Sequence, residues 1–162
     1  MLIKLLDKFV PDTIVDSYNR LADQIQWTDY GHKGKQAGLQ YKVGEDFWTS
    51  AVGKSQGLEL EYNNLNPLFK DTVFEELIAK YNLKRTRLMW VGPYACYSMH
   101  HDTTPRVHFP LITNPECYFL FKQGSVHHLS TGIVYWVDTT KAHTFINCSA
   151  EHRLHLVGVV ES

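Results

Sequence analysis

Two textures divide the chain. Between Pro11 and Trp27 the apolar residues Ile14, Val15, Tyr18, Leu21, Ala22 and Ile25 recur every three or four positions, the spacing that gathers side chains on one face of a helix. A second helix is predicted from Pro67 to about Lys80. Asn66 is placed to cap it, Pro67 suits the first turn, and Phe69, Val73, Leu77 and Ile78 form its apolar stripe. After Asn82 the pattern changes to short runs rich in Val, Ile, Tyr, Phe and Trp, broken by turn residues. The runs cover 86–91, 94–100, 106–113, 117–122, 125–129, 132–138, 143–147 and 153–160. Short strands spaced so closely predict a mainly β fold with flanking helices, closed or double-sheeted, and a jelly roll fits best.

Residues 27 to 57 follow neither texture. They hold six of the ten glycines together with Trp27, Tyr30, Tyr41, Phe47 and Trp48. Two readings stand side by side: a pair of twisted edge strands with turns, or a lid that covers a substrate. The aromatics of the second half, Trp90, Tyr94, Tyr97, Phe119, Tyr135 and Trp136, are expected mainly in the core. With 162 residues, 44% of them hydrophobic, the chain supports one core rather than two. The expectation is a single domain over 1–162, with 1–83 helical and lid-forming and 84–162 the jelly-roll core.

Charge narrows the function classes. Sixteen basic against seventeen acidic residues leave a net charge of −1, so no global field draws nucleic acid or an anionic membrane surface. The basic run "LKRTR" at 83–87 is short and enters a strand, which suits a solvated surface better than a nucleic-acid patch. The opening "MLIKLLDKFV" is interrupted by Lys4, Asp7 and Lys8 and reads as a poor signal peptide, and no run is long enough to cross a bilayer. The three cysteines, Cys96, Cys117 and Cys148, show no paired spacing. A cytoplasmic protein with reduced thiols is expected.

The chemistry concentrates in "MHHDTTPRVHF", residues 99 to 109. Strand residues two apart share a face, so His100 lies with Asp102, and Arg106 with His108 on the next strand. One imidazole and one carboxylate make two donors for a divalent metal. A third donor would complete a 2-His-1-carboxylate face with open positions, the arrangement of non-haem Fe(II) oxygen chemistry. His143, which begins a strand in "KAHTFIN", is the best third ligand. Arg153 follows ten residues later in "EHRLHLVG", where a guanidinium can grip a carboxylate in a walled pocket. Rivals exist: His101, which faces away from Asp102 in a regular strand; Asp138, which better suits a turn; and His127, His128 and His155, of which the last shares a face with Arg153.

His100-x-Asp102, then "RVHFPLITNP" from Arg106 to Pro115, then His143 and Arg153 within "RLHLVG", resembles the aspartyl/asparaginyl β-hydroxylase-like branch of the Fe(II)/2-oxoglutarate-dependent oxygenases. The likeness covers roughly residues 86 to 160 and, in its complete HxD…H set, is similar to the bacterial proline hydroxylases of that branch. It implies a double-stranded β-helix, cupin-like, with Fe(II) on His100, Asp102 and His143. It further implies that Arg153 holds the distal carboxylate of 2-oxoglutarate, while Arg106 and His108 contact its metal-binding end. The implied reaction hydroxylates an unactivated C–H bond of an amino acid or amino-acid side chain, consuming O2 and releasing succinate and CO2. No nucleic acid or membrane enters it. A cupin-like metal enzyme without 2-oxoglutarate, or a non-catalytic metal- or ligand-binding module, is the alternative on the residues alone.

Overall fold

Alternation along the strands sorts the side chains onto two faces, and this sorting builds the molecule. The computed structural model describes residues 1–29, 31–54 and 57–161; Tyr30, Ser55 and Gln56 of the glycine-rich segment lie outside the described residues. The elements run β1 (Ile3–Lys8), α1 (Pro11–Leu21), β2 (Thr28–Asp29), β3 (Gly34–Gly38), β4 (Gln40–Tyr41), β5 (Asn64–Leu65), α2 (Val73–Lys80), β6 (Lys84–Val91), β7 (Ala95–Cys96), β8 (Arg106–Ile112), β9 (Cys117–Phe121), β10 (Val126–His127), β11 (Ile133–Val137), β12 (His143–Asn147) and β13 (Arg153–Val159). One sheet has the order β1-β11-β8-β13-β6-β3-β2, a second β10-β9-β12-β7, and β4 pairs with β5. All pairings are antiparallel. The mainly β, jelly-roll class expected from the sequence is the class observed.

Two cores follow from the two faces of the large sheet. Its outer face presents Leu88, Val107, Phe109, Val134, Leu154 and Leu156, which pack with Ile14 of α1 and Phe74 and Leu77 of α2. Its inner face, with the small sheet, encloses Val91, Phe119, Phe121, Tyr135, Val137 and Phe145. The residues left over on the inner face are polar: Arg87 on β6, Arg106 and His108 on β8, Arg153 and His155 on β13, all buried. A sheet apolar on one side and partly polar, with three buried guanidinium groups, on the other reserves part of the barrel interior for something other than packing.

The helices are shorter than their apolar stripes suggest. The first ends at Leu21 and is followed by one tight turn over Ala22–Gln24. The second splits: Asn66 does cap a turn at Pro67–Phe69, accepting from the Leu68 N–H at 3.1 Å, but α2 proper starts only at Val73. Asp71 sits at φ +59° and Thr72 is extended, and neither conformation continues a helix. The run at 94–100 forms strand only at Ala95–Cys96, and Tyr94, expected in the core, is exposed with φ +51°.

The sequence pattern overlooked β1, a mostly exposed edge strand of mixed apolar and charged residues. It is held by pairing with β11, by Lys4 over the Trp136 ring at 4.9 Å, and by Asp7, which accepts from Lys80 at 2.9 Å and Tyr81 at 2.5 Å. In the glycine-rich segment, β2 and β3 extend the large sheet beyond β6. Gly34 on β3 has Tyr97 pressed so closely over it that no Cβ would fit. Among the described residues no helix is long and apolar enough to cross a membrane.

Leu156 faces the helices, opposite Leu88 and Phe109 in the register. Leu156→Ala is expected to destabilise the fold by about 2–5 kcal/mol in urea unfolding while leaving metal affinity unchanged. A loss of metal affinity in the folded variant would show that the two faces are not independent.

Candidate metal centre

His100 and His143 form an antiparallel bridge in which each N–H donates to the other's carbonyl, at 2.9 and 2.8 Å. Directly opposed residues send their side chains to the same side, and the two rings lie 4.5 Å apart between centroids. Two residues on, the Asp102 N–H donates to the Thr139 carbonyl at 2.8 Å, which swings its carboxylate back toward the pair. His143 Nε2 is 3.9 Å from Asp102 Oδ2, and one ligand atom from each of the three lies within 4.8 Å of the others. His100 and Asp102 do share a side, though neither lies in a regular strand; backbone bonds to His143 and Thr139 place them.

The ring protons are placed too. His100 Nδ1 lies 2.8 Å from the Ser98 carbonyl and His143 Nδ1 2.9 Å from the Lys141 carbonyl. A carbonyl can only accept, so both Nδ1 atoms carry hydrogen and both Nε2 atoms present a lone pair. Burial, joined by the nearby His100, holds the His143 pKa below its ordinary 6.5 against the upward pull of the Lys141 carbonyl. Phe119 stacks on the ring at 5.0 Å and 12°. Two imidazoles and one carboxylate, converging from one side, fit a divalent transition metal with positions left open.

Beside the three lies a cavity of about 300 Å³, walled by Gln36, Met89, Tyr97, His108, Phe119 and Phe145. Arg106 and Arg153, the two expected anion-binding groups, are in different states. Arg106 is engaged: Nη1 and Nη2 donate to Glu59 Oε2 and Oε1 at 2.9 and 2.8 Å, and Nη2 is 3.3 Å from Asp102 Oδ1. Arg153 is 4% exposed and stacks over Phe145 at 4.7 Å. Its Nε and Nη2 contact His155 Nε2 and Nδ1 at 3.0 and 2.7 Å, and its Nη1 is buried without a partner. Among the described residues no carboxylate forms an ion pair with it. Burial pulls its pKa down to about 10.

Arg153 does not wall the main cavity. It borders a small cleft of about 10 Å³ with Cys117, Leu129 and His155, and Phe119 belongs to both spaces. His108 bridges them: its Nδ1 is 3.3 Å from His155 Nδ1, while its buried Nε2 has no partner. A line of polar groups thus leads from the metal-ligand cluster inward to a guanidinium that lacks a counter-charge.

A sequence model of the aspartyl/asparaginyl β-hydroxylase family matches residues 11–161. The chain belongs to that family. Similar solved structures include a 2OG-Fe(II) oxygenase-family oxidoreductase from Burkholderia pseudomallei, 15% identical over 97% of this chain and 84% of that one, with a TM-score of 0.61. HygX from Streptomyces hygroscopicus, solved with nickel and 2-oxoglutarate bound, is 11% identical over 96% and 81%, with a TM-score of 0.56. A prolyl-4-hydroxylase from Pseudomonas putida is 11% identical over 99% and 93%, with a TM-score of 0.53. No curated protein matches the sequence significantly. The solved structures share the fold, and the family match makes this chain a hydroxylase.

The rival residues of this hydroxylase fall into place around the centre. His101 is exposed and also lines the cavity. Asp138 accepts from Thr140 Oγ1 at 2.5 Å within a turn, and the His128 ring bonds the Cys117 carbonyl at 2.9 Å. His127, with His128, borders a separate open cleft next to β1. Sequence reasoning missed Glu59, a buried carboxylate that its neighbours Leu58 and Leu60 gave no cause to single out.

Burial, reinforced by the Arg153 charge, holds the pKa values of His108 and His155 well below 6.5. Below pH 6.5 the unfolded chain therefore binds protons that the native hydroxylase refuses, and stability falls as pH falls. The expected slope is about 1.4 kcal/mol per pH unit for each ring once the pH is below that value. Urea unfolding between pH 7.5 and 5.5 checks it; a flat profile would show that the rings protonate in the native fold.

Proposed function

We propose that this hydroxylase is an Fe(II)- and 2-oxoglutarate-dependent dioxygenase acting on an unactivated C–H bond of an amino acid or amino-acid side chain, with release of succinate and CO2. In this reading His100, Asp102 and His143 hold the metal. Arg153 receives the distal carboxylate of 2-oxoglutarate, and Arg106 and His108 attend its metal-binding end. The whole chain acts as one oxygenase domain. Three free thiols suit a cytoplasmic location.

The observation that carries the proposal is the Arg153 guanidinium, buried, without a carboxylate, and with Nη1 unpartnered. Keeping a bare charge out of water costs several kcal/mol, and a chain retains one where an anion arrives to offset it. A dicarboxylate that chelates a metal at one end and meets a guanidinium at the other answers both halves of the site. HygX, which shares the fold, binds nickel and 2-oxoglutarate.

Bound Fe(II) and 2-oxoglutarate supply the oxidation, coupling decarboxylation of the cosubstrate by O2 to C–H hydroxylation. The chain's own residues bind, orient and shield. Ser98 and Lys141 fix the imidazole tautomers through their carbonyls, and Arg106 steadies Asp102. Tyr97, Phe119, Phe145 and Met89 wall the cavity with apolar surface, which keeps water from the reacting centre. No side chain is required as nucleophile or general base. Gln36, Gly53 and Lys54, from the glycine-rich segment, also line the cavity, and we assign substrate contact to them.

Calorimetric titration of 2-oxoglutarate into the Ni(II)-loaded protein tests the assignment through Arg153→Leu. The variant should lose about 100-fold or more in cosubstrate affinity, while metal affinity holds and thermal stability holds or rises, because an apolar side chain suits the cleft better than a bare charge. Unchanged 2-oxoglutarate affinity would overturn the role of Arg153, and no 2-oxoglutarate binding by the wild type would favour a cupin-like enzyme without this cosubstrate.

A further inference from the structure

Glu59 is the buried carboxylate that the function above does not use. It lies in a single turn, Glu59–Glu61, between the glycine-rich segment and β5. Three groups converge on it. Arg85 Nη1 of β6 donates to Oε1 at 2.6 Å, Arg106 of β8 forks onto both oxygens, and the Thr104 hydroxyl donates to Oε2. Burial alone raises the Glu59 pKa, but Arg106, the Thr104 hydroxyl and Arg85 together bring it below the ordinary value, so the group is ionised.

The geometry of the fork decides what else Arg106 can do. A guanidinium offers two hydrogens at each terminal nitrogen. On Nη1 one goes to Glu59 Oε2 and the other to Thr104, whose hydroxyl is at 2.5 Å and carbonyl at 2.9 Å. On Nη2 one goes to Glu59 Oε1, and the other is left for Asp102 Oδ1 at 3.3 Å. Arg106 therefore meets Asp102 with one long contact at a single oxygen, and Oδ2, the oxygen turned toward His143, is left out of the pairing.

We propose that Glu59 is a positioning residue for the metal centre: by occupying the fork of Arg106 it limits that arginine to one oxygen of Asp102 and keeps the other oxygen available to the metal. This rests on the reading of Asp102 as a metal ligand. Without the Glu59 charge, Asp102 becomes the carboxylate nearest to Arg106. The guanidinium would then turn to pair with both of its oxygens and compete with the metal for them. The same carboxylate ties the cavity wall to the centre, since Arg85 also donates through Nη2 to the Gly53 carbonyl and Gly53 lines the cavity.

Anaerobic titration with Co(II), followed by its visible d–d absorption, tests this in the wild type, Glu59→Gln, Arg85→Met and Asp102→Ala. Glu59→Gln should weaken Co(II) binding about 10- to 100-fold, the range for losing a group that orients a metal ligand, and should change the shape of the bands. Arg85→Met opens the same buried cluster at a residue whose hydrogen bonds go to Glu59 and Gly53 and not to Asp102. It should lower the melting temperature yet leave Co(II) affinity and band shape as in the wild type. A merely structural role would move both variants alike, and that result overturns the proposal, as does an unaltered spectrum and affinity in Glu59→Gln. Should Glu59→Gln not fold, Glu59→Asp is read instead: one methylene shorter, its carboxylate falls short of the Arg106 fork, and wild-type affinity and bands there would refute the role. Asp102→Ala separates the two claims: if its spectrum matches the wild type, the ligand reading fails and the inference with it. If Asp102→Ala loses the bands and Glu59→Gln does not, only the inference fails.

Discussion

The two backbone hydrogen bonds between His100 and His143 tie the loop that leads from β7 of the small sheet to β8 of the large one to the first residue of β12. Because the bridge is antiparallel and the residues are directly opposed, it sets two imidazoles side by side, and Phe119 stacks on the His143 ring. The Ser98 and Lys141 carbonyls then fix their protons, and Thr139 brings in Asp102. Both imidazoles are aimed by main-chain carbonyls and amides, while the Asp102 carboxylate is also held by the Arg106 side chain.

Around that closure the large sheet divides labour between its faces. Leu88, Val107, Phe109, Leu154 and Leu156 hold the helices and stabilise the fold. One position away on the same strands stand Arg87, Arg106, His108, Arg153 and His155, buried and polar. The cost of burying charge on this face is met unequally. Where Glu59 is present, as at Arg85 and Arg106, the charge is compensated within the protein. At Arg153 no carboxylate among the described residues does so.

Much of this was legible in the sequence. The runs that became β8, β9, β11, β12 and β13 are apolar, β-branched or aromatic and bounded by turn residues, and their observed limits fall within a residue or two of the pattern. β1 was not legible, because an exposed edge strand carries Lys4, Asp7 and Lys8 among its leucines and shows neither period. The second helix broke at Asp71 because a left-handed backbone conformation there leaves no trace in hydrophobic spacing. His100, Asp102 and His143 do converge, although the strand argument that joined the first two gave the right side for a reason the backbone does not follow. Glu59 could not be found at all: its partners lie 26 and 47 residues away, and only the folded chain brings them together.

The central claim is that the cluster holds Fe(II) and a chelating 2-oxoglutarate at once. Anaerobic addition of Fe(II) and then 2-oxoglutarate to the apo-protein tests it most directly, by the visible charge-transfer band that only the chelate produces. The account predicts a saturable band with the wild type and none with His143→Ala. Fe(II) bound by the wild type with no band on adding 2-oxoglutarate would contradict it.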